Sequence, residues 1–392
     1  MRIKESRLRL PAIASALAAA ALVLVAPAAA HGHHGHHHHQ KRRARLHAVY
    51  VSPNGAATKR DNSCRHARYD SIQAAVEAAP LRGVVVVCRG TYHEMVTVDR
   101  RLTLLGERGA TIDATGNVYG VGVSASYSTV IGLTVENASP LDAAHGKLAD
   151  GIVTIGLGPN GPVAADHVRI IRNVVRGNLG SGIDLNSTTH SVAIGNRANA
   201  NGVGINIADD LGKPSSHNVV GFNLANRNFG GCGIALADHS GAGVTGNLVY
   251  RNVADDNGLS TPTAPHASAG SGVILAAPVP NAVVTGNTIT RNRFSGNGHA
   301  GVVIHAHAPG DDFSGTVISR NAIGKNNVRT DENDLQTTGI YLGSLSPQTI
   351  TVNGNQIHDD YYGIYASGPV TVVQKHNRFH NVTQRLGTFP TF

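Results

Sequence analysis

The chain has 392 residues, 46 glycines, no tryptophan and a formal net charge of +8. Length alone admits two or three domains, and the positive balance invites a nucleic-acid reading. The placement of the charge excludes it. Arg2, Lys4, Arg7 and Arg9 against Glu5 put +3 in residues 1–30, and Lys41, Arg42, Arg43 and Arg45 add +4 before residue 47, which leaves the body near +1. A nucleic-acid binder carries its positive charge on the folded surface.

The first thirty residues read as a secretory signal. Basic residues precede an apolar run from Ala12 to Val25, and small residues close it at Ala28–Ala30. The run is short for a membrane span, so no span is expected once the signal is removed, and the compartment is extracellular or periplasmic. Residues 31–47 form a His-rich, basic tail. Its imidazoles His33, His34, His36, His37, His38 and His39 are candidate ligands for a transition metal.

From Ala48 the pattern changes. Val49–Val51 predicts a strand, and Asp70 and Ser71 are N-cap residues for an amphipathic helix over Ile72–Ala79. Val84–Val87, Val96/Val98 and Leu102–Gly106 predict further strands. A helix ahead of the first coils serves as the terminal cap that a repeat array requires. Cys64 and Cys88 flank that helix in an exported chain and are the expected disulfide. Cys232 is left over and reads as a buried thiol.

Between Asn173 and Leu342 one pattern repeats: an Asn, four residues, a second Asn, a gap, then a Gly-led strand. The pairs are Asn173/Asn178, Asn196/Asn201, Asn223/Asn228, Asn247/Asn252, Asn287/Asn292 and Asn321/Asn326. The strands open at Gly182, Gly204, Gly233, Gly272, Gly301 and Gly339. Apolar residues alternate within each strand, and no helical period intervenes. The expectation is an all-β, right-handed parallel β-helix, in which coils stack at about 4.8 Å and each Asn lies over the next, in a turn whose left-handed conformation it tolerates. Insertions are expected at about 256–271, 293–300 and 325–338. The domain reading is residues 48–135 for the cap and first coils, 136–381 for the repeats and 382–392 for a tail, with Phe389 to Phe392 lying over the last coil.

Tyr69–Ala79, Val84–Val87, Gly90–Tyr92 and Leu102–Gly106 together resemble the N-terminal cap and first coils of the pectin-lyase-like superfamily. The later Asn/Gly coils are similar to its NosD-type and mannuronan C5-epimerase-like branches. The resemblance implies the β-helix fold and a set of activities spanning lyases, epimerases, esterases, hydrolases and non-catalytic binding proteins. Gly182-Ile-Asp184 resembles the opening of the epimerase motif, and Asp209-Asp210 resembles the paired Asp of polygalacturonase-like enzymes.

Counting from each strand Gly, positions +1 and +3 point inward, and +2 and +4 outward. Stacking then gathers Asp184, Asn206, Asp209, Asp210, Asp238 and His239 on one side of three coils, with Lys213 in the following turn and His305 and His307 two coils away. Proton abstraction beside a uronate carboxylate needs a base, an acid and a charge neutraliser. His239 is expected as base, His305 or His307 as acid, and Lys213 or a Ca²⁺ held by Asp209, Asp210 and Asp238 as neutraliser. Paired carboxylates such as Asp209 and Asp238 also suit glycoside hydrolysis. Asp184, Asn206, Tyr341 and Tyr365 are the expected substrate contacts. The reading is a monomeric, secreted β-helix that binds a polysaccharide or cell-wall polymer, with lyase or C5-epimerase chemistry on a uronate polymer. The alternative is a non-catalytic, wall-associated or metal-handling β-helix.

Overall fold

A computed structural model describes residues 48–55, 63–140, 149–259, 270–329 and 336–391. The segment read as a secretory signal and the His-rich tail with His33, His34 and His36–His39 lie outside the described residues. Every described strand pair is parallel except one hairpin, Ile155–Gly158 with Gly161–Ala164. Each coil runs through a back strand, a side strand and a front strand. The back sheet has twelve strands, from Ala48–Val51 to Val370–Lys375, and the front sheet eleven, from Val96–Val98 to Gln384–Phe389. The side strands form two five-stranded sheets, linked through Leu224, which bridges Arg197 and Val253. The molecule is a right-handed parallel β-helix. No described helix is long and apolar enough to cross a membrane.

The apolar alternation sets the register. In the front sheet Ile152, Ile183, Ile205, Ile234, Val273, Val302, Ile340 and Ile364 form one inward column. All are fully buried. Each contributes about 1.5–3 kcal/mol of burial, which a single coil could not gain alone. The Gly at each front-strand start makes room for the neighbouring coil. A Cβ on Gly182 would lie 2.6 Å from Asn201 Nδ2 and 2.8 Å from the Gly204 carbonyl oxygen. A helix at Ile72–Ala78 buries Ile72, Ala75 and Val76 against the first strands, with Ser71 accepting from the Ala74 amide. Glu94 takes the amides of Ile72 and Gln73, at 2.7 and 3.0 Å. Cys64 and Cys88 are disulfide-bonded. Cys232 is buried, and its sulfur accepts from the amide and hydroxyl of Ser271.

Several expectations need correction. Three Asn columns stand five residues apart, as in 218/223/228, 247/252/257 and 287/292/297. Asn223 stacks on Asn252, not Asn247, with the Asn223 amide donating to Asn252 Oδ1 at 2.9 Å, and Asn247 stacks on Asn218. A pattern of two Asn five residues apart fits either pair of columns, so the register slipped in two coils. The insertion expected at 293–300 disappears with the slip, since Arg293–Ser295 is an ordinary side strand. The left-handed residue at each corner is also not the ladder Asn but the one before it, such as Arg172 (φ 54°) and Ala200 (φ 55°). The Asn serves through its amide: Asn196 Nδ2 donates to Asn223 Oδ1 at 3.1 Å and to the Ile170 carbonyl at 2.9 Å. Near the C-terminus, Gln384–Phe389, expected within a tail, is a strand of the front sheet paired with Tyr362–Ser367.

Candidate functional site

The outward column of the front sheet runs Val153, Asp184, Asn206, Ala235, Ile274, Val303, Tyr341 and Tyr365, in register. It is polar in two coils and apolar or aromatic beyond them. Asp184 is only 3% exposed. Asn206 Nδ2, one coil along, donates to its Oδ1 at 3.0 Å, and Asn186 Nδ2 donates to its Oδ2 at 3.0 Å.

Asn186 also reaches the next coil. Its Nδ2 donates to Asp210 Oδ2 at 2.5 Å, and its Oδ1 accepts from the Asp210 amide at 3.0 Å. The two lengths from Asn186 Nδ2 bound the Asp184–Asp210 oxygen separation at 5.5 Å. Asp210 Oδ1 lies 2.6 Å from His239 Nδ1. The side chains of Asp210 and His239 are each 43% exposed, so the chain Asn206–Asp184–Asn186–Asp210–His239 runs from a buried floor to an open rim over three coils. Asp150, one coil earlier, accepts from the Ser181 amide at 2.7 Å.

These environments push the titrations apart. Burial raises Asp184 to about 7, with the Asn186 amide opposing and the Asp210 charge adding to the rise. Burial, then the charge of Asp184, lifts Asp150 well above the usual carboxylate range. Asp210 is held low: burial works against it, but the hydrogen bonds from His239 and Asn186 prevail. The bond to Asp210 raises His239 above an ordinary imidazole, against burial. The cluster therefore favours the protonated form at Asp150, puts Asp184 near its midpoint at neutral pH, and favours the charged form of the His239–Asp210 pair.

Asp209 and Asp238, expected as catalytic carboxylates and calcium ligands, are turned away from this cluster. Both are fully buried. Asp209 accepts from the amides of His239, Ser240, Ala242 and Gly243 and from the Ser240 hydroxyl. Asp238 accepts from the amides of Gly241 and Val283, each at 2.6 Å. Burial and a hydrogen bond to Asp209 raise Asp238, while the donors around Asp209 hold that group low against burial. They organise turns, and their oxygens do not converge with those of Asp210 on one point. Both lie in the turn that follows the strand Val203–Ala208, where backbone amides of residues 239–243 take up Asp209 and only Asp210 of the pair reaches the outer face.

Lys213 is exposed on the turn, and among the described residues no ion pair ties it to the cluster. His305 and His307 pair with each other, ring centroids 4.3 Å apart, and His305 lies 6.2 Å from the Tyr341 ring. Ala237 and Ala276 separate His305 from Ala208 in its column, so the two His residues belong to the aromatic end of the face. Tyr341, expected as a substrate contact, is 1% exposed and packed with Ala300 and Val303. It stacks on Tyr365 at 5.4 Å, and Tyr365 stacks on Phe389 at 4.2 Å. The sequence reading missed Asn186 and Asp150. Asn186 was findable: it is the polar member at +4 in a column that continues Ala208, Ala237, Ala276.

Comparison with known proteins fits this architecture. A family profile described as "Right handed beta helix region" matches residues 266–383. Among solved structures, the A-module of mannuronan C-5 epimerase AlgE6 from Azotobacter vinelandii aligns at TM-score 0.55 and 19% identity, covering 82% of this chain and 93% of that one. The pectate lyase Pel9A aligns at TM-score 0.51 and 16% identity, covering 84% and 78%. The alginate lyase from Paenibacillus sp. str. FPU-7 aligns at TM-score 0.50 and 14% identity, covering 81% and 96%. No curated protein matches by sequence. At these identities the likeness is one of fold: the chain is a right-handed parallel β-helix.

Proposed function

We propose that this β-helix is a secreted enzyme that binds an extended uronate-containing polysaccharide along the outer face of its front sheet and acts on it by proton transfer, as a lyase or C5-epimerase. The observation that carries the reading is Asp184. It is a buried carboxyl on the outward column with a pKa raised to about 7, joined through Asn186 to an ionised Asp210 and so to His239. Perturbed carboxyls linked to a half-exposed rim are the means by which one site holds an acid and a base together. Asp184 is near its midpoint at neutral pH and Asp210 is paired with His239, so the cluster opposes the entry of a uronate carboxylate less than a set of free carboxylates would. Protonated Asp184 then donates to that carboxylate as the charge neutraliser. His239, at the rim, accepts the C5 proton in its neutral form while Asp210 stabilises the imidazolium that forms; the departing C4 oxygen, or C5 from its opposite face, takes a proton from solvent water. Structural neighbours that are named as epimerase and lyases support the substrate class.

A second reading, glycoside hydrolysis, is favoured by one observation. Asp184 and Asp210 share a donor within 5.5 Å and titrate apart, as an acid and a carboxylate partner do at separations of about 5–5.5 Å. Incubation with polymannuronate, polyguluronate and polygalacturonate separates the outcomes. Elimination gives ultraviolet-absorbing unsaturated ends, epimerisation changes the NMR sugar signals without cleavage, and hydrolysis gives reducing ends without absorbance. No product from any uronate polymer would overturn the assignment and leave a non-catalytic binding protein.

A further inference from the structure

The corner between back and side strands carries a second feature, on a different face of the coil from the front sheet. Its left-handed position is held by Arg172, Gly195, Phe222, Arg251, Arg291, Arg320 and Gly354 in successive coils. Backbone bonds keep this column in line: Arg251 N to Thr290 O at 3.3 Å, Arg291 N to Ser319 O at 3.1 Å, and Arg320 N to Asn353 O at 3.0 Å. Three arginines thus stand one above another at about the 4.8 Å coil spacing.

With Arg293 and Gln356 they line a cleft of about 490 Å³ that opens over the small residues Ala322 and Gly354. Arg293 is ion-paired with Asp255 at 3.0 Å. Among the described residues, Arg251, Arg291 and Arg320 have no acidic partner. Arg251 lies over the Phe222 ring at 5.4 Å, and Phe222 is 42% exposed at the next rung.

Two physical points make this arrangement informative. Like charges directly opposite on neighbouring strands are unfavourable. The three arginines also adopt φ of 54°, 58° and 57°, a conformation disfavoured for residues with a Cβ, at a position that Gly195 and Gly354 fill without that penalty. An anion with charges repeating near the coil spacing relieves the first. Guanidinium forks grip carboxylates in a bidentate manner, and an exposed ring beside them suits a sugar face.

We propose that this corner is a second polysaccharide site, which anchors a linear polycarboxylate glycan along the helix axis. It rests on the polymer class proposed for the front sheet but needs no catalysis there. The test is affinity electrophoresis and calorimetry of the whole protein with polygalacturonate and polymannuronate at low and moderate salt. Dextran and duplex DNA serve as comparison ligands. The variants are R320G and the triple R251G/R291G/R320G, which place at each rung the residue already used in neighbouring coils. The expected result is salt-sensitive polyuronate binding, weakened severalfold by R320G and at least tenfold by the triple variant, with no dextran binding. Unchanged binding by the triple variant would overturn the site. So would absence of polyuronate binding by the parent protein, or DNA binding of equal strength lost in parallel. A protein that yields no uronate product, yet loses polyuronate binding in the triple variant, keeps this site and loses the catalytic reading.

Discussion

Two buried polar systems run along this molecule, and they differ in kind. The Asn columns at the corners repeat in nearly every coil, and each amide meets an identical neighbour, as Asn252 does between Asn223 and Asn292. The carboxylate cluster on the front sheet occupies a few coils only and gives way to Ala235, Ile274 and Val303 in the same column. The Asn columns are neutral, mutually satisfied and serve stacking. The cluster combines raised and lowered titrations in one place, which stacking does not require. In a solenoid, a polar residue repeated at every level is explained by the fold, whereas one that breaks the repeat needs another explanation.

The sharpest break of this contrast is Asp184→Asn. Removing the charge neutraliser should lower turnover by about 10²–10³-fold without lowering the melting temperature, as initial rates and a thermal melt will show. His239→Asn should lower turnover by about 10²-fold and displace the pH–rate profile, because Asp210 loses its partner. Asn252→Ala should do the opposite. It orphans the buried Asn223 amide and the Val220 carbonyl, which costs about 3 kcal/mol in denaturant unfolding, while the folded fraction keeps its activity. The smallest effect is a slope. An unfolded Asp184 loses its proton near its ordinary 3.8, but the folded protein keeps it up to about 7. Stability from this group is therefore full at low pH and falls as pH rises through that window. Asp210 acts in the reverse sense, with stability present above its unfolded value and lost as pH falls through the folded one. Unfolding curves across this range, with and without Asp184→Asn, should show the falling contribution disappear in the variant.

The fold was legible because alternation and the leading Gly each mark a front strand independently. Ile183, Ile205 and Ile234 sit where that pattern placed them. The Asn register was less legible, since columns five residues apart look alike along the chain. The outward column Asp184–Asn206 followed from parity alone. The split between Asp209 and Asp210 did not, because it depends on how the turn after Ala208 folds back under residues 239–243. Asp150 was hidden for a related reason: its neighbour in space, Asp184, lies more than thirty residues away, and no Asn pair announces its coil.

The account is tested most directly by running the reaction in D₂O and following the sugar C5 position of a polyuronate by NMR. The account predicts that deuterium enters at C5 of epimerised residues, or that the C5 proton is lost with the appearance of unsaturated ends, in the parent protein and not in Asp184→Asn. Intact C5 protons together with new reducing ends, or no change in the polymer, would contradict it.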